Sequence, residues 1–171
     1  MNTIKFFDKE FPNEGFNHTR KIVRAVVFND KKEIALIKLY GDDIFGHRDY
    51  YETPGGGINP KENRHKALER EIEEEVGVKI SNIHFLARVI DFYNLIKRRN
   101  DNYFYICKVV ENTHQNLEEY EKTLFVKVEW VSIDKAIEIY ENTPKTPIAN
   151  LVIQRELPIL YLTKEYLKNI K

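Results

Sequence analysis

The chain has a single cysteine, Cys107, so it can close no internal disulfide. That cysteine lies in the apolar run Tyr103-Phe104-Tyr105-Ile106-Cys107, where a thiol reads as a small buried hydrophobe rather than a nucleophile. An excess of one charge is also missing: 27 Lys and Arg balance 27 Asp and Glu. Nothing therefore draws the whole chain onto a DNA duplex or a membrane surface. No apolar run approaches the roughly 18 residues that a spanning helix needs. Residues 1–15 mix both charges and lack the apolar stretch of a secretory signal. A cytoplasmic setting is the expectation. There is no repeat, no low-complexity stretch and no Pro-, Ser- or Gly-rich linker, so residues 1–171 read as one domain. The five histidines show no zinc-ligand spacing.

What is present suffices for one core, since 42% of 171 residues are apolar or aromatic. Residues 22–28 and 33–39 read as strands joined by the turn Asn29-Asp30-Lys31-Lys32. Residues 41–49 read as a polar loop and 50–53 as a short strand. Strand patterns recur at 80–91, 103–110 and 125–131, with a polar loop over 111–122. Ser132 or Asp134 can cap a helix reaching about 141. Thr146-Pro147 suits the start of a C-terminal helix over about 147–171, which Pro158 should kink or split. Strands interleaved with helices of this length predict an α/β domain with a sheet covered by helices.

The informative segment is a helix ending at Gly77, a residue suited to a left-handed cap. Its start is open between Asn59-Pro60, with Glu62 following, and Asn63. At 3.6 residues per turn Glu71, Glu74 and Glu75 share one face, while Glu73 points elsewhere. Ala67, Leu68, Ile72 and Val76 form the adjoining apolar stripe. Grouped carboxylates repel, and partial burial raises the cost. A divalent cation is the best compensation, and Mg²⁺ favours hard carboxylate oxygens shared with substrate phosphates. On the carboxylates alone a solvated helix with ordinary salt bridges is the better account. The balance changes with Pro54-Gly55-Gly56-Gly57, a backbone feature at a fixed distance before the helix.

Gly56, five residues, Glu62, seven residues, Arg70-Glu71-Ile72, one residue, Glu74-Glu75, one residue, Gly77-Val78: this resembles the Nudix box at every defined position. The flanks, including Trp130-Val131-Ser132-Ile133-Asp134, extend the resemblance over residues 20–142. It implies an α/β/α sandwich around a mixed sheet. It implies Glu71, Glu74 and Glu75 as metal ligands for Mg²⁺, with Mn²⁺ able to substitute. Glu62 and Arg70 would hold loop and helix together, and Gly55, Gly56 and Gly57 would let the loop pass close to the helix. Glu71 is the first candidate for general base. Many members use a further acidic residue from a later loop, for which Glu121 is the best match here and Glu118 and Glu119 are rivals.

The activity so implied is hydrolysis of a diphosphate bond in a nucleoside diphosphate linked to another group. Nucleoside triphosphates are favoured, with ADP-ribose-type nucleotide sugars, dinucleoside polyphosphates and capped RNA ends as alternatives. An isopentenyl diphosphate isomerase and a non-catalytic nucleotide sensor are weaker readings: the isomerase chemistry uses a cysteine, and sensors tend to lose box carboxylates. A homodimer is common in the family. Among the aromatics Phe6, Phe7, Tyr40, Phe45, Tyr50, Tyr51, Phe92 and Tyr93, one could stack on a base. Lys97-Arg98-Arg99 reads as a hairpin tip or, more sharply, as a phosphate-contacting loop. Arg24 and Arg48 could reach the glycine loop.

Overall fold

A computed structural model describes residues 3–169. Met1 and Asn2 of the expected single domain, and Ile170 and Lys171 of the expected C-terminal helix, lie outside the described residues.

Among the described residues eight strands build one mixed sheet: β1 (Thr3–Lys5), β2 (His18–Phe28), β3 (Glu33–Asp43), β4 (Gly46–Glu52), β5 (Gly55–Gly57), β6 (Val78–Tyr93), β7 (Arg98–Asn112) and β8 (Phe125–Ser132). The order is β1-β6-β7-β2-β3-β4, with β5 also on β2 and β8 also on β3. β1 and β6 run parallel, as do β2 and β7. On β2 the alternation of apolar residues feeds both faces. Val23, Ala25 and Val27 pack under helix α1 (Arg64–Val76), against Ala67, Leu68, Ile72 and Val76. Val26 and Phe28 join the opposite layer, where α2 (Ile133–Asn142) and α3 (Pro147–Asn169) bury Tyr140, Leu151, Val152, Ile159 and Leu160. The result is the α/β/α sandwich around a mixed sheet that the sequence implied.

One departure from regular pairing positions the site. β2 and β3 meet only at their hairpin end, where Phe28 pairs with Ile34. Beyond it β2 turns to β5, through Ile22–Gly57, Val23–Gly56 and Arg24–Gly55, while β3 turns to β8. A cavity of about 290 Å³ opens in the wedge between the two strands.

Several sequence expectations need correction. Residues 41–49 are not a loop: β3 and β4 continue as an antiparallel hairpin to the Asp43–Gly46 pair. Cross-strand contacts hold these polar arms: ion pairs of Arg48 with Asp43 at 2.6 Å and of Lys38 with Asp49, and a hydrogen bond between His47 and Asp42 at 3.0 Å. The glycine run is a strand and not only a loop. β6 ends at Tyr93, a 3-10 turn (Asn94–Ile96) and Lys97 in the left-handed region (φ 49°) make the hairpin tip, and Arg98 and Arg99 are already in β7. α3 runs through Pro158 without splitting. Both halves are pinned to one sheet layer, Ile148, Leu151 and Val152 before the proline and Ile159, Leu160 and Leu167 after it. The open helix start is settled at Asn63, whose side chain accepts the Lys66 N–H at 3.0 Å. Ser132 caps α2 through the Lys135 N–H at 3.2 Å.

Candidate active site

The glycine strand lies directly over the acidic end of α1. A side chain at Gly55, whose φ is +143°, would meet the Val23 carbonyl oxygen at 2.1 Å. One at Gly56 would fall 2.3 Å from Glu71 Oε2, and one at Gly57 would fall 3.0 Å from Arg20 Nη2. Only hydrogen fits at the first two positions, because backbone and carboxylate occupy the space.

Arg70 fastens this strand to the helix. Its Nη2 donates to the Gly57 carbonyl at 3.0 Å and to Glu62 Oε2 at 2.9 Å, and its Nε donates to Glu62 Oε1 at 3.0 Å. Glu62 in turn accepts the Asn59 N–H at 3.0 Å. The Arg70 hydrogen bonds hold the Glu62 carboxyl below its ordinary range. The third Arg70 nitrogen, Nη1, donates to Glu71 Oε1 at 2.7 Å and to Glu74 Oε2 at 3.2 Å.

Glu71, Glu75 and Glu121 converge, each offering one carboxylate oxygen, all within 4.8 Å of one another. Glu121 arrives from a turn of 3-10 helix (Glu121–Thr123) just before β8. Glu75 is held by the Gly55 N–H at 2.6 Å. Burial pushes the Glu71 carboxyl up, against the pull of Arg70, and Glu74 and Glu121 push it further. Burial drives Glu75 well above the carboxylate range, and the charges of Glu71 and Glu121 add to it. Glu74 leans on Arg70 and lies outside this converging group, and Glu73 is not part of it. Three hard oxygens with too little positive charge around them are the donor set a divalent cation fits.

The cavity is lined by Glu75 and Glu121, by the apolar Ile37, Leu39, Phe45 and Phe125, and by five arginines: Arg20, Arg24, Arg48, Arg98 and Arg155. Arg24 donates to the Thr53 carbonyl at 2.9 Å, just before the glycine strand. Arg48 turns instead to Asp43 and the Tyr50 hydroxyl. Of the candidate stacking aromatics only Phe45 and Tyr93 reach the cavity; Phe7 stacks on Phe92 elsewhere, at 5.4 Å between rings.

The floor is a buried ion network. Arg155 donates to Glu52 at 3.0 Å, to Glu156 at 2.5 Å and to the Tyr93 hydroxyl at 2.8 Å. Glu156 also accepts from the Thr53 N–H at 2.7 Å and the Tyr140 hydroxyl at 2.6 Å. Burial opposes the charge on Glu52, but Arg24 and Arg155 outweigh it and hold the carboxyl below its usual range. Sequence reasoning missed Arg20, Glu52, Arg155 and Glu156. The signals existed: Arg155 falls four residues after Leu151 on the apolar stripe of α3, and Arg20, Ile22 and Arg24 alternate on one face of β2. Cys107 is buried under α1 and does not line the cavity.

A helix–sheet–helix sandwich with a glycine strand clamped over an acidic helix defines a Nudix-fold domain. The NUDIX domain profile matches residues 18–152, so the chain belongs to the Nudix family and is a Nudix hydrolase. It is 27% identical over 135 residues to diphosphoinositol polyphosphate phosphohydrolase 2 of Rattus norvegicus, covering 78% of this chain and 68% of that one. Among solved structures it resembles a Nudix hydrolase from Nitrosomonas europaea, with TM-score 0.63 and 20% identity over 85% of this chain and 90% of that one. It also resembles the Nudix domain of Shewanella oneidensis NrtR complexed with ADP ribose, with TM-score 0.63 and 16% identity over 89% and 90%. Among the described residues no helix is long and apolar enough to cross a membrane.

Proposed function

We propose that this site hydrolyses the diphosphate bond of a nucleoside diphosphate linked to another group, using Mg²⁺ or Mn²⁺ held by Glu71, Glu75 and Glu121, with Glu74 adjoining them. The carrying observation is the meeting of three carboxylate oxygens within 4.8 Å beside a cavity lined by five arginines. A bound divalent cation supplies neutralisation of the phosphate oxygens and acidifies water. Glu71 takes the proton of the attacking water as the new P–O bond forms and the bridging P–O bond breaks. Arg70 fixes Glu71 through Oε1, and the Gly55 N–H fixes Glu75. Nucleoside triphosphates are the favoured substrates, and ADP-ribose-type compounds the alternative. The arginines lining the cavity, and a relative named for diphosphoinositol polyphosphates, favour a second reading in which the diphosphate is carried by a polyphosphorylated polyol.

The test is a panel of nucleoside triphosphates, nucleotide sugars, dinucleoside polyphosphates and diphosphoinositol compounds with Mg²⁺, read by phosphate or pyrophosphate release and product mass. Glu74→Gln and Glu71→Gln should lower turnover, and Glu73→Gln should be nearly silent. Unchanged turnover in both of the first two would remove α1 from the mechanism.

A further inference from the structure

Resting on the reading that this site cuts a diphosphate bond, we propose that Arg20 and Arg98 form a subsite for one additional phosphate of the substrate, beyond the two joined by the scissile bond. Three of the five cavity arginines are already neutralised. Arg24 and Arg155 pair with Glu52 and Glu156, and Arg48 pairs with Asp43. Arg20 and Arg98 have no carboxylate partner among the described residues, although both line the cavity. The Arg98 guanidinium lies over the Tyr93 ring, 5.3 Å from its centroid, and its Nε is buried without a hydrogen-bond partner among the described residues.

The two cations are brought together by strand pairing. β2 and β7 are parallel, with His18 opposite Arg98, so Arg20 is two residues along the same face. Burial and the neighbouring charge of Arg20 both disfavour the cationic form of Arg98. Every other arginine of the cavity faces a carboxylate. Arg20 is exposed and Arg98 half-buried, and this pair is left without the counter-charge that an anion with several oxygens would supply; the guanidinium fork is shaped for phosphate.

The subsite is close to the chemistry. Arg20 rests against Gly57, whose carbonyl is held by Arg70, and the adjacent Gly56 touches Glu71. A phosphate at Arg20 therefore belongs to the same cluster of phosphates as the scissile bond and not to a remote arm. The favoured class is a compound with at least three neighbouring phosphates, over a nucleoside diphosphate joined to a neutral sugar.

Two measurements test this. Calorimetry with inorganic tripolyphosphate and pyrophosphate, in EDTA so that the acidic cluster contributes no attraction, should show tripolyphosphate binding about tenfold more tightly. R20Q and R98Q should each reduce that preference to about twofold or less, R98K should retain part of it, and the control K97Q should retain all of it, because Lys97 pairs with Glu14 away from the cavity. With Mg²⁺, the ratio of kcat/KM for a nucleoside triphosphate over ADP-ribose should fall about tenfold in R20Q and R98Q. No tripolyphosphate preference in the wild type, or a preference kept in R20Q and R98Q alike, would overturn the subsite even if diphosphate bonds are cut. Loss of the preference in the variants of a protein that turns over no diphosphate compound would retire the hydrolase reading and leave the subsite standing. Should R98Q not fold, R20Q and R98K carry the same comparison.

Discussion

The α-carbon of Gly56 presses on the carboxylate of Glu71: a methyl group there would lie 2.3 Å from Oε2 and 2.6 Å from Oε1. Glu71 is in turn held by Arg70, so a shift of its carboxylate breaks that hydrogen bond. Gly56→Ala is expected to displace Glu71 and lower kcat on the order of a hundredfold. The fold should stay intact by circular dichroism, because the rest of β5 and α1 is untouched. Near-normal turnover in Gly56→Ala would show that the position of Glu71 does not matter.

Glu75 gives a pH prediction for the metal-free protein. Its folded-state pKa is raised by burial and by Glu71 and Glu121. A carboxyl raised on folding favours the folded state while protonated, below its unfolded pKa, and that contribution is lost as pH rises through the raised folded value. Glu75→Gln should therefore stabilise the EDTA-treated protein at pH 7 by on the order of 1 kcal/mol, roughly 2–4 °C in Tm. The gain should vanish near pH 4. Mg²⁺ should reverse the order by stabilising the wild type more. Thermal scans at both pH values check it, and an equal difference at pH 4 and 7 would contradict it.

Glu121 and Glu119 are two residues apart and differ in surroundings. Glu121 joins Glu71 and Glu75, whereas the Glu119 side chain is 91% exposed and pairs with Lys122. Glu121→Gln should weaken the Mg²⁺ dependence of turnover by about tenfold to a hundredfold. Glu119→Gln should leave it unchanged. Metal titrations of both variants read the difference.

Arg155 is enclosed by Glu52, Glu156 and Tyr93. Removing its charge leaves Glu52 and the buried Glu156 to share Arg24 alone, which costs about 3–5 kcal/mol. Arg155→Met should lower Tm by roughly 6–20 °C. A shift below a few degrees would mean that the network relaxes or admits water.

Cys107 is buried, and burial pushes its thiol pKa far upward. A thiol reagent at neutral pH should leave the native protein unmodified and label it fully in denaturant. Rapid native labelling would return this cysteine to the candidates for chemistry.

The chain's own pattern determined the glycine strand and the acidic helix that follows it. The glycines, Glu62, Arg70 and the carboxylates of α1 fall within residues 55–78, where helical period and short loops bring together residues close in sequence. The apolar stripe of α1 was legible for the same reason. Tertiary structure alone decided the rest. Glu121 meets Glu71 only because the segment before β8 folds back over the end of α1. Arg20 and Arg98 meet only through parallel pairing between β2 and β7, and Arg155 reaches Glu52 only when α3 lies across the sheet. No local periodicity encodes contacts across such separations, because strand register and helix docking are set by burial of the whole core.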